Sequence, residues 1–260
     1  MISNSRSKLI EQIFSNLKKN KIKSLNKNFT YFNDKGYLSN SDIVIDKIIK
    51  EKIKNNFQKD IIFSEETENN FKHFDNKKYV WVIDPICGTT NFIRGIDIYA
   101  HSISVVKGSK IFGGILNPSN KNVFFTNNKK SFLNNRIINC SNTKKLNEAV
   151  ISINCNQSSK NLSKFKKLFN IFSPPVTRRL KILESANLEL SFVASGKLDA
   201  YINLEDKIWD LLIGSELVKN AGGRFKYING NLKNPKLIKG IVASNKYLFN
   251  DIIKIINEKL

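Results

Sequence analysis

With 260 residues and 41% hydrophobic content, the chain can bury one large core or two closely packed halves. Its 43 lysines and arginines against 22 aspartates and glutamates give a net charge of +21, which draws polyanions and phosphorylated small molecules from a distance, but no arginine cluster interleaved with aromatics marks a nucleic-acid interface. No run of about 18 apolar residues offers a membrane span, no signal-peptide core opens the sequence, and three cysteines without a Cys-x-x-Cys pair argue against a disulfide framework or a zinc knot, so a reducing cytoplasm is expected.

In chain order, Leu9, Ile10, Ile13, Phe14 and Leu17 recur at helical spacing and predict an amphipathic helix over 7–19. Alternating aromatics over 29–38 around Asp34-Lys35-Gly36 predict a hairpin. Ser41 or Asp42 then caps a helix whose stripe is Ile45, Ile48, Ile49, Ile53 and Phe57. A short strand over 61–63 delivers Ser64-Glu65-Glu66-Thr67 at its end. On a solvated loop two adjacent glutamates are ordinary surface residues; their neighbours decide otherwise.

The chain is organised around 81–92, Trp-Val-Ile-Asp-Pro-Ile-Cys-Gly-Thr-Thr-Asn-Phe. Tyr79 to Ile83 read as a buried strand, and the chain is expected to turn abruptly through Asp84 and Pro85, fixing a carboxylate at a strand end. Gly88, Thr89 and Thr90 precede a short run that starts a helix, whose free N–H groups point at an anion. One carboxylate beside an anion cradle suggests a divalent metal bridging to a phosphate. Beyond it, 103–106, 111–116 and 123–126 predict an antiparallel meander, with His101 read as a core residue beside the motif. A strand over 150–153, a helix over 162–172 ended by Pro174-Pro175, and a helix over 185–194 closed by Gly196 follow. A strand over 199–202, a helix over 209–220, a strand over 241–243 and a last helix over 249–256 complete the alternation. No repeat, linker or composition break divides the chain, so 1–260 reads as one domain.

The 84–92 segment resembles the Asp-Pro-Leu/Ile-Asp-Gly-Thr-Thr/Ser-Asn-Phe signature of the inositol monophosphatase family, metal-dependent and often lithium-sensitive phosphomonoesterases. The resemblance extends from the first helix to about Ser244, with the motifs in order. It implies the layered α-β-α-β-α sandwich of the inositol monophosphatase and fructose-bisphosphatase type, an α/β fold with a metal-binding half over about 1–140 and a substrate-side half over about 141–260. It implies Glu65, Asp84, the Ile86 carbonyl and Asp210 as ligands of Mg²⁺, two or three ions with Mn²⁺ as the alternative. Asp42 is expected to orient Thr89, and Glu65 and Thr89 to activate water. Gly88 and Thr89 are expected on the phosphate, and Ser185 and Ala186 on the alcohol. A homodimer and a small phosphorylated metabolite as partner are implied too.

Four positions depart from the family's pattern. Its second aspartate is Cys87, and a thiol is soft and a poor Mg²⁺ ligand. Three outcomes follow: a weakly held second Mg²⁺, a softer ion such as Mn²⁺ or Zn²⁺ in its place, or loss of hydrolysis with the fold retained. The segment resembling Arg-x-x-Gly-Ser-Ala-Ala has Glu184 for the glycine and Asn187 for the last alanine. The acidic residue seven positions before the Trp-Asp aspartate is Asn203. Inositol specificity is therefore not carried over, and histidinol-phosphate or nucleotide-bisphosphate hydrolysis stays open. The rival class is a non-catalytic relative that binds a protein or RNA partner.

Overall fold

A computed structural model describes residues 5–19, 29–32, 36–67, 74, 77–154 and 159–260. The first helix is α1 (Ser5–Lys19), and the hairpin strands are β1 (Phe29–Phe32) and β2 (Gly36–Ser39), paired antiparallel. The tip residues Asp34 and Lys35, like His73 and Cys155, lie outside the described residues. Helix α2 (Asn40–Asn56) buries Ile45, Ile49 and Ile53. Its cap is Ser39, not Ser41 or Asp42: Asp42 is the third helical residue and accepts from the Ser39 amide at 2.8 Å, closing a capping box.

Seven strands form the larger sheet: β3 (Ile61–Ser64), β4 (Val80–Cys87), β5 (Ala100–Lys107), β6 (Lys110–Asn117), β7 (Asn122–Thr126), β8 (Ser131–Leu133) and β9 (Arg136–Ile138), in that spatial order. Only β3 and β4 run parallel; the others form the expected meander. Between β4 and β5 lies the short helix α3 (Thr89–Arg94). The second sheet has the order β11 (Arg179–Lys181), β10 (Val150–Asn154), β12 (Ala200–Asn203), β14 (Ile241–Ser244), β13 (Arg224–Tyr227). Its helices are α4 (Ser159–Phe172), α5 (Ala186–Ala194), α6 (Ile208–Asn220) and α7 (Phe249–Lys259).

Alternation along β4 explains the layers, because successive side chains leave a strand on opposite faces. Trp81 and Ile83 pack with Leu9, Ile13 and Phe14 of α1 and Ile45 and Ile49 of α2. Val80 and Val82 face the other way, into a core shared with Leu188 and Leu190 of α5, Leu212 and Leu217 of α6, and Tyr201 and Ala243 of the second sheet. The far face of that sheet, Ile151, Ile153, Ile202 and Val242, is covered by Leu168 and Phe172 of α4 and Ile252 of α7. The order is thus helices, sheet, helices, sheet, helices, the α/β sandwich the sequence implies. Helices α5 and α6 sit between two sheets and are apolar nearly all round for that reason.

Strand β4 does not end at Ile83. It runs to Cys87, and the expected abrupt turn at Asp84-Pro85 is instead a β-bulge: Asp84 pairs with Ser102 and Cys87 with Ala100, three steps on one strand against two on the other. The extra residue reverses the alternation. Asp84 and Cys87, which a regular strand would aim to opposite faces, both face α5 and α6. Pro85, which cannot donate to a ladder, is tolerated in the bulge, and its carbonyl accepts a hydrogen bond from His101 Nδ1. His101 is fully buried and its pKa is lowered to about 4, chiefly by burial, so the ring is neutral.

Candidate metal centre

Register brings the first two acidic residues together. In the parallel pair, Ser64 lies opposite Ile83, so Glu65, just past the end of β3, follows the chain beside Asp84 within β4. The Glu65 amide donates to the Ile83 carbonyl at 3.2 Å. Asp210 arrives from elsewhere: it is the third residue of α6, and its Oδ2 accepts from the Lys207 amide at 3.2 Å. Capping the helix and facing the cleft are compatible roles for one carboxylate. Ligand atoms of Asp84, Cys87 and Asp210 lie within 4.8 Å of one another.

Asp84 is fully buried, whereas Glu65 reaches water at the mouth of the cleft with protein packed around the rest of it. Burial and the Glu65 and Asp210 charges push the Asp84 carboxyl well above its usual range. Enclosure, then repulsion from Asp210 and Glu66, raises Glu65 as well. Because Glu65 still reaches water, the repulsion is the firmer of its two causes. Asp210 is raised to about 6 by burial, offset by the Lys207 amide and charge. Asp84 Oδ1 is buried with no hydrogen-bond partner among the described residues.

A crowded set of hard oxygen donors with an orphaned carboxylate oxygen fits a divalent cation such as Mg²⁺. Cys87 does not fit it. Burial, then the Asp84 and Asp210 charges, pushes the thiol well above its usual value, and a thiol is a soft and poor ligand for Mg²⁺.

Gly88 stands beside this cluster with φ 98°, in the left-handed region, as N-cap of α3. A Cβ there would lie 3.0 Å from the Ile98 carbonyl and 3.1 Å from that of Glu184, so the tight cradle requires glycine. The first-turn amides of α3 have no intrahelical acceptor. The Thr89 hydroxyl lies 3.3 Å from Asp42 Oδ1 and 3.1 Å from the Ile86 carbonyl, one proton shared between two acceptors. Asp42 is buried, which raises its pKa to about 6 against the lowering effect of the Ser39 and Thr89 hydrogen bonds.

Ser185 and Ala186 form the wall behind the cradle and are both buried. The Ser185 hydroxyl donates to the Cys87 carbonyl at 2.9 Å. Glu184 is exposed and has φ 59°, a left-handed backbone state that favours glycine. Asn203 is buried, its Nδ2 donating to the Tyr201 hydroxyl at 2.9 Å and to Asp206 Oδ2.

Asp206 is the acidic residue that sequence reasoning missed. Burial, then Asp210, Glu189 and Glu65, raises it well above the carboxylate range, which places it in the same field. It sits in the irregular segment before α6, where no periodicity flags it; its spacing of four residues from Asp210 was the available signal.

A family model described as the inositol monophosphatase family matches residues 3–260. A Thermotoga maritima protein named fructose-1,6-bisphosphatase/inositol-1-monophosphatase is 28% identical over 187 residues, 71% of this chain and 70% of that one. A Pseudomonas aeruginosa protein named Nus factor SuhB is 32% identical over 187 residues, 70% of this chain and 68% of that one. Among solved structures, the extragenic suppressor protein suhB of Bartonella henselae superposes with a TM-score of 0.80 at 24% identity, covering 98% of this chain and 96% of that one.

Proposed function

The chain belongs to the inositol monophosphatase family, and on that premise we propose that it is a Mg²⁺-dependent hydrolase of a small phosphomonoester of the inositol-phosphate class. The observation that carries this reading is the convergence of Asp84, Cys87 and Asp210 ligand atoms to within 4.8 Å of one another, with the buried Asp84 Oδ1 left without a partner among the described residues. Glu65, Asp84, Asp210 and the Ile86 carbonyl hold the cation, and Mn²⁺ is its alternative. Bound there, the cation supplies Lewis-acid polarisation of the phosphoryl group and lowers the pKa of a coordinated water.

The chain's own residues do the rest. Gly88 and Thr89 present backbone N–H groups to the phosphate oxygens, at a spacing a side chain at 88 would prevent. Asp42 draws the Thr89 proton, which turns the hydroxyl's lone pair toward the attacking water. Glu65, exposed to solvent, would accept a proton from the attacking water as general base. Ser185 and Ala186 shape the wall on the alcohol side, and Glu184 adds a negative charge at its rim that disfavours a second phosphate. The working form is a cytoplasmic homodimer. No described helix is long and apolar enough to cross a membrane.

The test is turnover of sugar, inositol, histidinol and nucleotide phosphates with Mg²⁺ or Mn²⁺. Turnover that needs the metal and is lost in Asp84→Asn supports the reading. No turnover with either metal, and none in Cys87→Asp, sinks it. A second reading, a partner-binding relative without catalysis, is favoured by Cys87 in the cluster and by the +21 charge, and one relative bears the name Nus factor SuhB. Activity present in Cys87→Asp and absent from the native chain selects it.

A further inference from the structure

Glu189 is a fully buried carboxyl that the proposed chemistry leaves unused. Its partners are three neutral donors: Oε1 accepts from the Ser152 hydroxyl at 2.5 Å and the Leu183 amide at 3.3 Å, and Oε2 from the Ser185 amide at 3.1 Å. Withdrawing a carboxylate from water is unfavourable unless such donors replace the water. Capping explains only part of the arrangement. A carboxylate in the first turn commonly takes the amide of the N-cap residue, here Ser185. The other two bonds reach further, one to the chain before the helix and one across to β10. Ser152 is itself fully buried, and its hydroxyl also lies 3.1 Å from the Lys181 carbonyl at the end of β11. One side chain thus joins β10, the 183–185 segment and α5.

The segment is gripped from its other side by Asn91 of α3, whose Nδ2 donates to the Leu183 carbonyl at 2.8 Å and to the Ile98 carbonyl at 2.9 Å. Leu183 is therefore held at both its amide and its carbonyl. Next to it, Glu184 has φ 59°, a state that a residue other than glycine keeps only where its surroundings fix it. What they fix is the wall of the cleft. The Glu184 carbonyl and Ser185 Cβ stand 3.1 and 3.2 Å from where a Cβ on Gly88 would lie, and the Ser185 hydroxyl donates to the Cys87 carbonyl. Ile182 and Glu184 are exposed, while the amides of 183 and 185 turn inward to Glu189.

We propose that Glu189 is a positioning residue: through the Leu183 and Ser185 amides it holds the 183–185 segment as the alcohol-side wall, and so governs the fit of the leaving alcohol and not that of the cation or the phosphate. The proposal rests on the reading of the cleft as a phosphomonoester site. Glu189→Gln is the sharp substitution, because it keeps the size of the side chain but replaces one acceptor oxygen with an NH₂ group, leaving one of the three donors facing another donor.

Two measurements on the full chain test it. Hydrogen exchange of the Leu183 and Ser185 amides, resolved by NMR, should quicken about tenfold or more in Glu189→Gln, while the amides of Ile151 and Ile202 in the second sheet stay as slow as in the native chain. Unchanged exchange at 183 and 185 overturns the proposal. In steady-state kinetics with inositol 1-phosphate, KM should rise about tenfold with kcat within about twofold, while the inhibition constant of inorganic phosphate and the Mg²⁺ concentration for half-activation stay at their native values. Equal losses in all of these overturn it as well, since a loosened fold gives that result. A native chain without turnover removes the phosphatase reading and the alcohol-fitting role with it, whereas unchanged exchange in an active enzyme removes the present proposal alone. Should Glu189→Gln fold poorly, Ser152→Ala withdraws one donor from the same carboxylate and carries both measurements, with smaller shifts in the same directions expected and no shift overturning the proposal.

Discussion

Gly88 concentrates the demands of the site in one residue. Its φ of 98° costs an L-residue on the order of 1–2 kcal/mol, and the atoms a Cβ would press on at 3.0 and 3.1 Å are backbone carbonyls of Ile98 and Glu184, which cannot swing aside as a side chain would. Gly88→Ala is therefore expected to lose about 1–3 kcal/mol of stability and to displace the cradle by a fraction of an ångström. Displacement at the reacting phosphate is costlier than the stability loss, on the order of a hundredfold in kcat/KM. Thermal unfolding and steady-state kinetics of that variant check both; unchanged kinetics would mean that the amides at 88 and 89 do not hold the phosphate. At the same scale, Glu65, Asp84, Asp210 and Thr89 could be proposed from the sequence because their residue types and order match a known motif. Asp206 was not, since an acid in an irregular segment carries no pattern of its own.

At the scale of elements, periodicity made the long helices and the central strands readable, and geometry hid the rest. The bulge in β4 is the clearest case: nothing in Asp-Pro-Ile-Cys announces that one extra residue will turn Cys87 onto the face of Asp84. Capping slipped by two or three positions because Ser39, Ser41 and Asp42 all suit an N-cap, and only the reciprocal bonds of a capping box distinguish them. Strands β8 and β9 are three residues each, too short to alternate visibly, although Asn134 and Asn135 between them both have positive φ and form the kind of two-residue turn that joins hairpins. The middle helices depend on close approach: a Cβ on Gly214 of α6 would lie 2.5 Å from Leu190 Cδ1 and 2.6 Å from its Cβ on α5. Gly214→Ala should cost about 1–3 kcal/mol by overpacking. In a double-mutant cycle with Leu190→Ala, the two losses should be less than additive, because removing the leucine makes the room that the new methyl needs. Simple additivity of the two melting-temperature shifts would refute this account of the α5–α6 contact.

Over the whole molecule, the surface and the cleft oppose each other: the chain carries +21 overall, while Glu65, Asp84, Asp206 and Asp210 crowd together at one place. Without a cation, the fold bears the cost of that crowding, and pH reveals it. Asp42 and Asp210 are raised to about 6 from a usual 3.8, and Glu189, buried beneath the 183–185 segment, to about 7 from 4.5, each mainly by burial. A carboxyl whose folded pKa exceeds its unfolded one destabilises the fold once ionised; that cost is full above the folded value and vanishes below the unfolded one. Stability should therefore rise as pH falls from about 7.5 toward 5. His101 works in the opposite direction, since its folded pKa of about 4 lies below its usual 6.5 and protonation favours the unfolded chain through that interval. Several carboxyls outweigh one imidazole across the window, each changing stability by up to about 1.4 kcal/mol per pH unit. Melting temperatures of the cation-free protein, taken at about 0.15 M salt to screen surface repulsion, should climb by several degrees between pH 7.5 and 5.5. Saturating Mg²⁺ should flatten or invert that trend, because protons and the cation compete for the same oxygens and binding weakens as the carboxyls fill. A cation-free protein whose melting temperature falls steadily over that range would show that the carboxylates are not crowded in solution, and the cation they are held to require would lose its physical reason.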